Sequence, residues 1–164
     1  MKKTLEILNS LEEKGCFTRY AIGGAMAASF YVEPVLTYDL DVFILVEDMK
    51  SLAVPALIYS VLKNMGFEEK GECVDIFGTP VQFLPVYNAL LEDALSEAVE
   101  TDYDGVPTRV PGIEHLLAIC VRTGRTKDRD RVRLILEQAR HDEKMLRAIL
   151  KKHALEEKWD AWIT

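Results

Sequence analysis

Apolar positions recur along this chain in two periods, and the change from one to the other predicts its elements. Leu5, Leu8 and Leu11 fall on one face of a helix over residues 4–14, and Gly15 is its stop. Residues 17–22 read as a first strand. Residues 25–31 are alanine-rich and apolar, which suits a buried helix that starts on Gly23-Gly24 and is over by Pro34. Val42-Phe43-Ile44-Leu45-Val46 is short, β-branched and aromatic, as in a buried strand. Leu57, Val61, Leu62 and Met65 return to helical spacing within a helix over residues 52–65, with Gly66 at its C′ position.

Residues 67–70 form a short strand, and residues 73–77 and 80–84 are two strands joined at Gly78-Thr79. Pro85 and Asn88 interrupt the pattern, and residues 90–98 are a short helix or a loop with one turn. Residues 102–110 hold a turn at Asp104-Gly105 and a small edge strand. Four helices complete the chain, over residues 111–123, 127–141, 143–153 and 155–163. The expectation is an α+β fold, a mixed sheet flanked by helices. Residues 1–110 form its core, and 111–164 form a helical extension packed on that core.

Composition narrows the class. The 164 residues are 49% hydrophobic and 29% charged, ordinary for one domain able to bury a core. No apolar run reaches the length of a membrane span, and the amphipathic N-terminus does not read as a secretion signal, so a cytoplasmic protein is expected. Cys16, Cys73 and Cys120 are isolated and odd in number, as for reduced thiols, and no metal-ligand spacing links them. His115, His141 and His153 are scattered and read as ordinary surface or partly buried side chains. Charge is uneven: residues 1–121 carry 8 basic and 19 acidic side chains, whereas residues 122–164 carry 12 basic and 8 acidic. An acidic body discourages non-specific contact with nucleic acid, and a basic strip near carboxylates suits a triphosphate or an RNA end.

The candidate chemistry lies in Tyr20–Val46, YAIGGAMAASFYVEPVLTYDLDVFILV. Asp39 and Asp41 share one face at the start of a strand, because side chains there alternate. Carboxylates hold Mg²⁺ or Mn²⁺, and small residues opening a helix let backbone N–H groups approach phosphate. Fourteen residues separate Gly24 from Asp39. A Gly-Gly pair followed at this spacing by Asp-x-Asp with apolar flanks resembles the nucleotidyltransferase superfamily typified by DNA polymerase β. The Glu114-His115-Leu116-Leu117 helix and Gly124-Arg125-Thr126-Lys127-Asp128 are similar to its AbiEii-like branch, which includes toxins of toxin–antitoxin systems.

The resemblance implies a nucleotidyltransferase-like fold and metal held by Asp39 and Asp41. It implies phosphate cradled by Gly23 and Gly24, and charge balance from Arg125 and Lys127. The substrate would be a nucleoside triphosphate, and the acceptor a hydroxyl of tRNA, a protein side chain or a small molecule. A cognate antitoxin is a further partner class. For Arg129, Arg131 and Arg133, alternating with Asp128 and Asp130, solvated helix charges are expected. The chain also departs from the pattern. A third acid of the superfamily aligns with Gln82, which cannot take a proton in that range. Asp75 is a substitute if Gly78-Thr79 is the hairpin loop, since it then lies across from Gln82. Cys120 stands near an expected Lys, and Val35-Leu36 near an expected Arg. The alternative is therefore a catalytically degenerate relative that keeps the fold to bind a nucleotide or a protein partner.

Overall fold

A computed structural model of the chain describes residues 1–34, 36–46 and 54–163. The predicted Leu52 and Ala53 helix start and the departure at Val35 lie outside the described residues. The chain opens with α1 (Lys2–Glu13), β1 (Arg19–Ile22), α2 (Gly24–Ala28) and β2 (Leu40–Leu45). Next come α3 (Val54–Asn64), β3 (Glu68–Lys70), β4 (Cys73–Ile76), β5 (Thr79–Pro85) and α4 (Ala89–Ser96). It closes with β6 (Val99–Tyr103), β7 (Val106–Val110), α5 (Ile113–Thr123), α6 (Thr126–Gln138), α7 (Glu143–Lys152) and α8 (Glu156–Ile163).

Five strands form one sheet in the order β1-β2-β5-β4-β3. Among the described residues only β2 and β5 run parallel, with Asp41 level with Gln82 and Phe43 level with Leu84. Antiparallel pairing carries β1 onto β2, β4 onto β5 and β3 onto β4. Alternation then sorts the side chains. Tyr20, Ile22, Val42, Ile44, Val81 and Phe83 join Leu5, Leu8 and Leu11 of α1 and Ile58 and Leu62 of α3 in the main core. Ala21 and Phe43 point the other way, against Leu91 and Leu95 of α4, with Leu84 and Ile119 beside them. Each fully buried leucine or phenylalanine contributes about 1.5–3 kcal/mol, so this period-2 split fixes the register of β2. A slip by one residue would drive Asp41 into the main core.

The main core also takes in Leu116, Leu117, Val132, Ile135, Leu146, Leu150 and Trp159, one or more from each of the last four helices. Three local differences from expectation have physical reasons. The helix on Gly23-Gly24 stops at Ala28, where the Ser29 hydroxyl donates to Ala25 O (3.2 Å) and the backbone tightens into turns at Phe30 and Tyr31. The expected edge strand is a separate two-stranded hairpin, β6–β7, turning at Asp104-Gly105 with both φ positive. In the β4–β5 hairpin the loop is Phe77-Gly78, also both at positive φ, rather than Gly78-Thr79.

That last shift corrects the expectation for Asp75. It pairs with Pro80, not Gln82. Its carboxylate accepts from Lys70 Nζ (2.8 Å) and the Gly78 amide (2.7 Å), which hold it well below the usual carboxylate range. Asp75 is a turn-former.

Candidate active site

Asp41, half-buried, stands on β2, and Asp39, exposed, stands just before it. The Asp39 carboxylate is oriented by Thr37, whose hydroxyl donates to it at 3.1 Å. Burial pushes the Asp41 carboxyl above its ordinary value, Asp39 adds to that, and Arg125, Lys127 and Arg131 act in opposition. Asp39 and the three cations Arg125, Lys127 and Arg131 thus act on Asp41 with opposite signs.

The glycines serve different ends. Gly23 donates its N–H to Asp41 O (2.8 Å), and a Cβ there would stand 2.5 Å from the Phe43 ring. Gly24 has φ +57, and a Cβ there would collide with Asp41 Oδ2. Backbone and carboxylate touch only because residue 24 lacks a side chain. Gly24→Ala is expected to lose about 1–3 kcal/mol of stability from the left-handed backbone and the displaced carboxylate. Thermal melting checks this, and a variant melting with wild type would contradict the contact.

A cavity of about 370 Å³ opens over this face of the sheet, lined at one end by Gly24, Asp41, Glu72, Gln82, Arg125 and Arg131. Gln82 donates its amide to Glu72 Oε2 (3.0 Å). The neighbouring Cys73 thiol is pushed up by burial and then by Asp39, Asp41 and Glu72. On the far wall Asp128, 1% exposed, accepts from Arg125 Nε (2.8 Å) and from Arg131 Nη1 (3.0 Å). Arg131 also donates to Cys120 Sγ (3.9 Å), whose thiol burial pushes up to about 11. Lys127 is exposed and makes no ion pair among the described residues. Asp39 faces a second depression, of about 760 Å³, walled by Met26, Phe30, Tyr38 and Tyr103.

The fold thus brings Asp41, Gln82, Gly24 and Arg125 to one cavity, whereas Asp39 opens onto the neighbouring depression and Lys127 lines neither. Arg131 corrects an expectation: it is buried in the cavity wall, whereas Arg129 and Arg133 are exposed on the surface, as expected. The signal was available, since Asp128, Arg131, Val132 and Ile135 recur at i, i+3, i+4 and i+7 and all four are buried. Glu72 was not legible, because it depends on the hairpin register. His115 is fully buried rather than partly, and its neighbour Glu114 accepts from the Asp142 amide (2.7 Å), fastening the segment before α7.

Among the described residues no group of three or more His, Cys, Asp or Glu side chains is placed to hold a metal. Two carboxylates that repel each other still suit Mg²⁺, which takes one or two protein carboxylates and fills its other positions with phosphate and water. The donor set fits Mg²⁺ or Mn²⁺ completed by oxygen ligands from outside the protein.

Mixed sheet, Gly-Gly turn and acidic β2 define a nucleotidyltransferase-like fold, and solved structures bear this out. The chain is similar to an antigenic nucleotidyltransferase-like protein from Paracoccidioides brasiliensis, with 19% identity, TM-score 0.55, and 82% of this chain and 73% of that one covered. It is also similar to the antibiotic-resistance factor ANT(2″)-Ia in solution, with 17% identity, TM-score 0.53, and 98% and 94% covered. The crystal structure of ANT(2″)-Ia in complex with adenylyl-2″-tobramycin gives 13% identity, TM-score 0.53, and 95% and 98% covered. No protein-family model matches the chain, and no curated protein matches it. In the described residues no helix is long and apolar enough to cross a membrane.

Proposed function

We propose that the protein transfers a nucleoside monophosphate from a nucleoside triphosphate to a hydroxyl acceptor, with Mg²⁺ or Mn²⁺ held by Asp39 and Asp41. One observation carries this: Asp41, half-buried against Gly24, shares one cavity with Arg125 and Arg131, and the exposed Lys127 adds its charge to theirs. Such an arrangement attracts a polyphosphate to one side of a carboxylate pair and leaves the other side open. Arg125 and Lys127 hold phosphate oxygens, Arg131 adds charge from the wall, and Gly24 leaves room for close approach. The acceptor enters from the Asp39 side, through the aromatic-walled depression. Its oxygen bonds to the α-phosphorus as the bond to pyrophosphate breaks. Its proton passes to Glu72, which is not ion-paired among the described residues and is held by the Gln82 amide. When bound, the metal neutralises charge developing on the departing pyrophosphate. Residues 111–164 act as a helical extension that brings the cations to the core.

The adenylyl-2″-tobramycin in one ANT(2″)-Ia structure supports a small-molecule hydroxyl as acceptor. The test is pyrophosphate release from each nucleoside triphosphate with Mg²⁺, with a polyhydroxylated small molecule, total tRNA or a protein acceptor. Release that requires metal and a small-molecule acceptor supports the proposal. Release only with tRNA or protein, the latter favouring a toxin-like role, would move the acceptor class. Nucleotide binding without release favours a second reading, a binding module without turnover.

That second reading is favoured by Gln82, an amide level with Asp41. Gln82→Asp separates the two. A third carboxylate beside Asp41 and Glu72 is expected to destabilise the ligand-free protein by about 1–3 kcal/mol. Mn²⁺ should recover the loss by binding the native state, and transfer should rise. A Gln82→Asp protein that melts like wild type and gains nothing from Mn²⁺ would put Gln82 outside the reacting centre.

A further inference from the structure

The cavity over Asp41 is amphipathic along its length, and its second half has no part in the chemistry above. Alternation on β2 and β5 puts Phe43 and Leu84 one step along from Asp41 and Gln82 on the same face, and Tyr87 lies just past the end of β5. Across from them α5 presents Leu116, Ile119, Cys120 and Thr123 at i, i+3, i+4 and i+7, one stripe of a helix. The Cys120–Thr123 end of that stripe meets Arg125 and Arg131. Leu116 lies about 10 Å back along the helix, beside Leu91 of α4. One end of the cavity is thus charged and the other is apolar with an aromatic rim.

Tyr87 is 74% exposed at that rim, and its ring packs against no other aromatic ring among the described residues. The polar atoms nearby are committed: the Thr123 hydroxyl donates to Ile119 O (2.9 Å), and Cys120 Sγ accepts from Arg131. No carboxylate, amide or guanidinium lines the apolar end among the described residues.

Resting on the nucleotide reading above, we infer that this apolar end seats the nucleobase, with Tyr87 stacked on its face, and that it accepts all four bases with little discrimination. A flat aromatic body with a polyanionic tail matches this cavity end for end. Stacking is tolerant of sequence because every base has a π-face, whereas choosing among bases needs donors and acceptors at their edges. The side chains that would read those edges are missing from the described wall.

The test is calorimetric binding of ATP, GTP, CTP and UTP with Mn²⁺, beside inorganic tripolyphosphate, to wild type, Tyr87→Ala and Tyr87→Phe. The four nucleotides are expected to bind wild type within about threefold of one another, since no carboxylate, amide or guanidinium lines the apolar end among the described residues. Tyr87→Ala should weaken all four by roughly five- to twentyfold, the range of one lost stacking contact. Tyr87→Phe should retain binding, and tripolyphosphate should bind all three proteins equally. Equal nucleotide binding by Tyr87→Ala and wild type would overturn the inference, as would a preference beyond about tenfold for one base. In both cases the nucleotide reading survives. If neither nucleotides nor tripolyphosphate bind wild type, the nucleotide reading itself fails and the inference with it.

Discussion

Replacing Asp41 by asparagine is expected to lower the proposed nucleotidyl transfer at least about a hundredfold, the scale of losing one preorganised electrostatic group at a reacting centre. The same change should raise the stability of the ligand-free protein. Burial and Asp39 together outweigh the three cations, so the folded Asp41 carboxyl titrates above its ordinary value. The sign follows. A carboxyl with a raised folded pKa favours the folded state in its protonated form, so stability falls as pH rises from the ordinary carboxylate value through the raised one. At neutral pH the ionised side chain is a cost that asparagine does not carry. We expect a gain of ~1 kcal/mol, or about 2–4 °C in melting temperature for a chain of this size. The gain should vanish below about pH 4, where Asp41 is protonated in both states. Melting of both proteins across pH, with and without Mn²⁺, measures it. Wild type should be stabilised by the metal and the variant far less. A variant that melts below wild type at neutral pH, or binds Mn²⁺ as tightly, would contradict the account.

Asp128→Ala is expected to cost about 3–5 kcal/mol, the largest stability change predicted for the chain, because it strands a buried charge. Asp128 is 1% exposed, and Arg131, 9% exposed, has it as its carboxylate partner. Removing Asp128 also removes the side chain that caps the start of α6 from Arg125 N. The half-exposed Arg125 can turn to solvent, whereas Arg131 cannot, so the penalty belongs to Arg131. Pairing Asp128→Leu with Arg131→Met should recover most of the loss, since an apolar pair of similar volume needs no compensating charge. Urea unfolding of the single and double variants gives the numbers. A single variant within ~1 kcal/mol of wild type would mean that water reaches Arg131.

Asp128 also bears on function. It holds two guanidinium groups at the cavity wall before any ligand arrives, at the cost of part of their charge. On the proposed function, the surplus charge for a polyphosphate would come from Lys127 and from the second cation on Asp128.

Local pattern determined much of this protein. The Leu5, Leu8 and Leu11 stripe, the apolar strand that carries Asp41 and the glycine turn that opens α2 all follow from spacings of two or three to four residues, although α2 stops at Ala28, short of the expected Tyr31. So do the Asp104-Gly105 turn and the four C-terminal helices. Local sterics and burial alone decide those features. The nearness of the Gly-Gly turn to the acidic strand was expected from the motif, whereas the contact of Gly24 with the Asp41 carboxylate came from the pairing of β1 with β2.

Only the tertiary structure decided the rest, because it depended on register and on which face of an element met another. Loop Phe77-Gly78 and loop Gly78-Thr79 differ by one residue, yet the choice removes Asp75 from Gln82 and brings Glu72 to it. Charge alternation from Asp128 to Arg133 reads as a solvated face until α6 packs on α5. Then Asp128 and Arg131 turn inward and Arg129 and Arg133 stay out. Tyr87 carries no signal in the chain. It acquires a place only because β5 ends beside α4 and α5, where packing leaves its ring exposed at the mouth of the cavity.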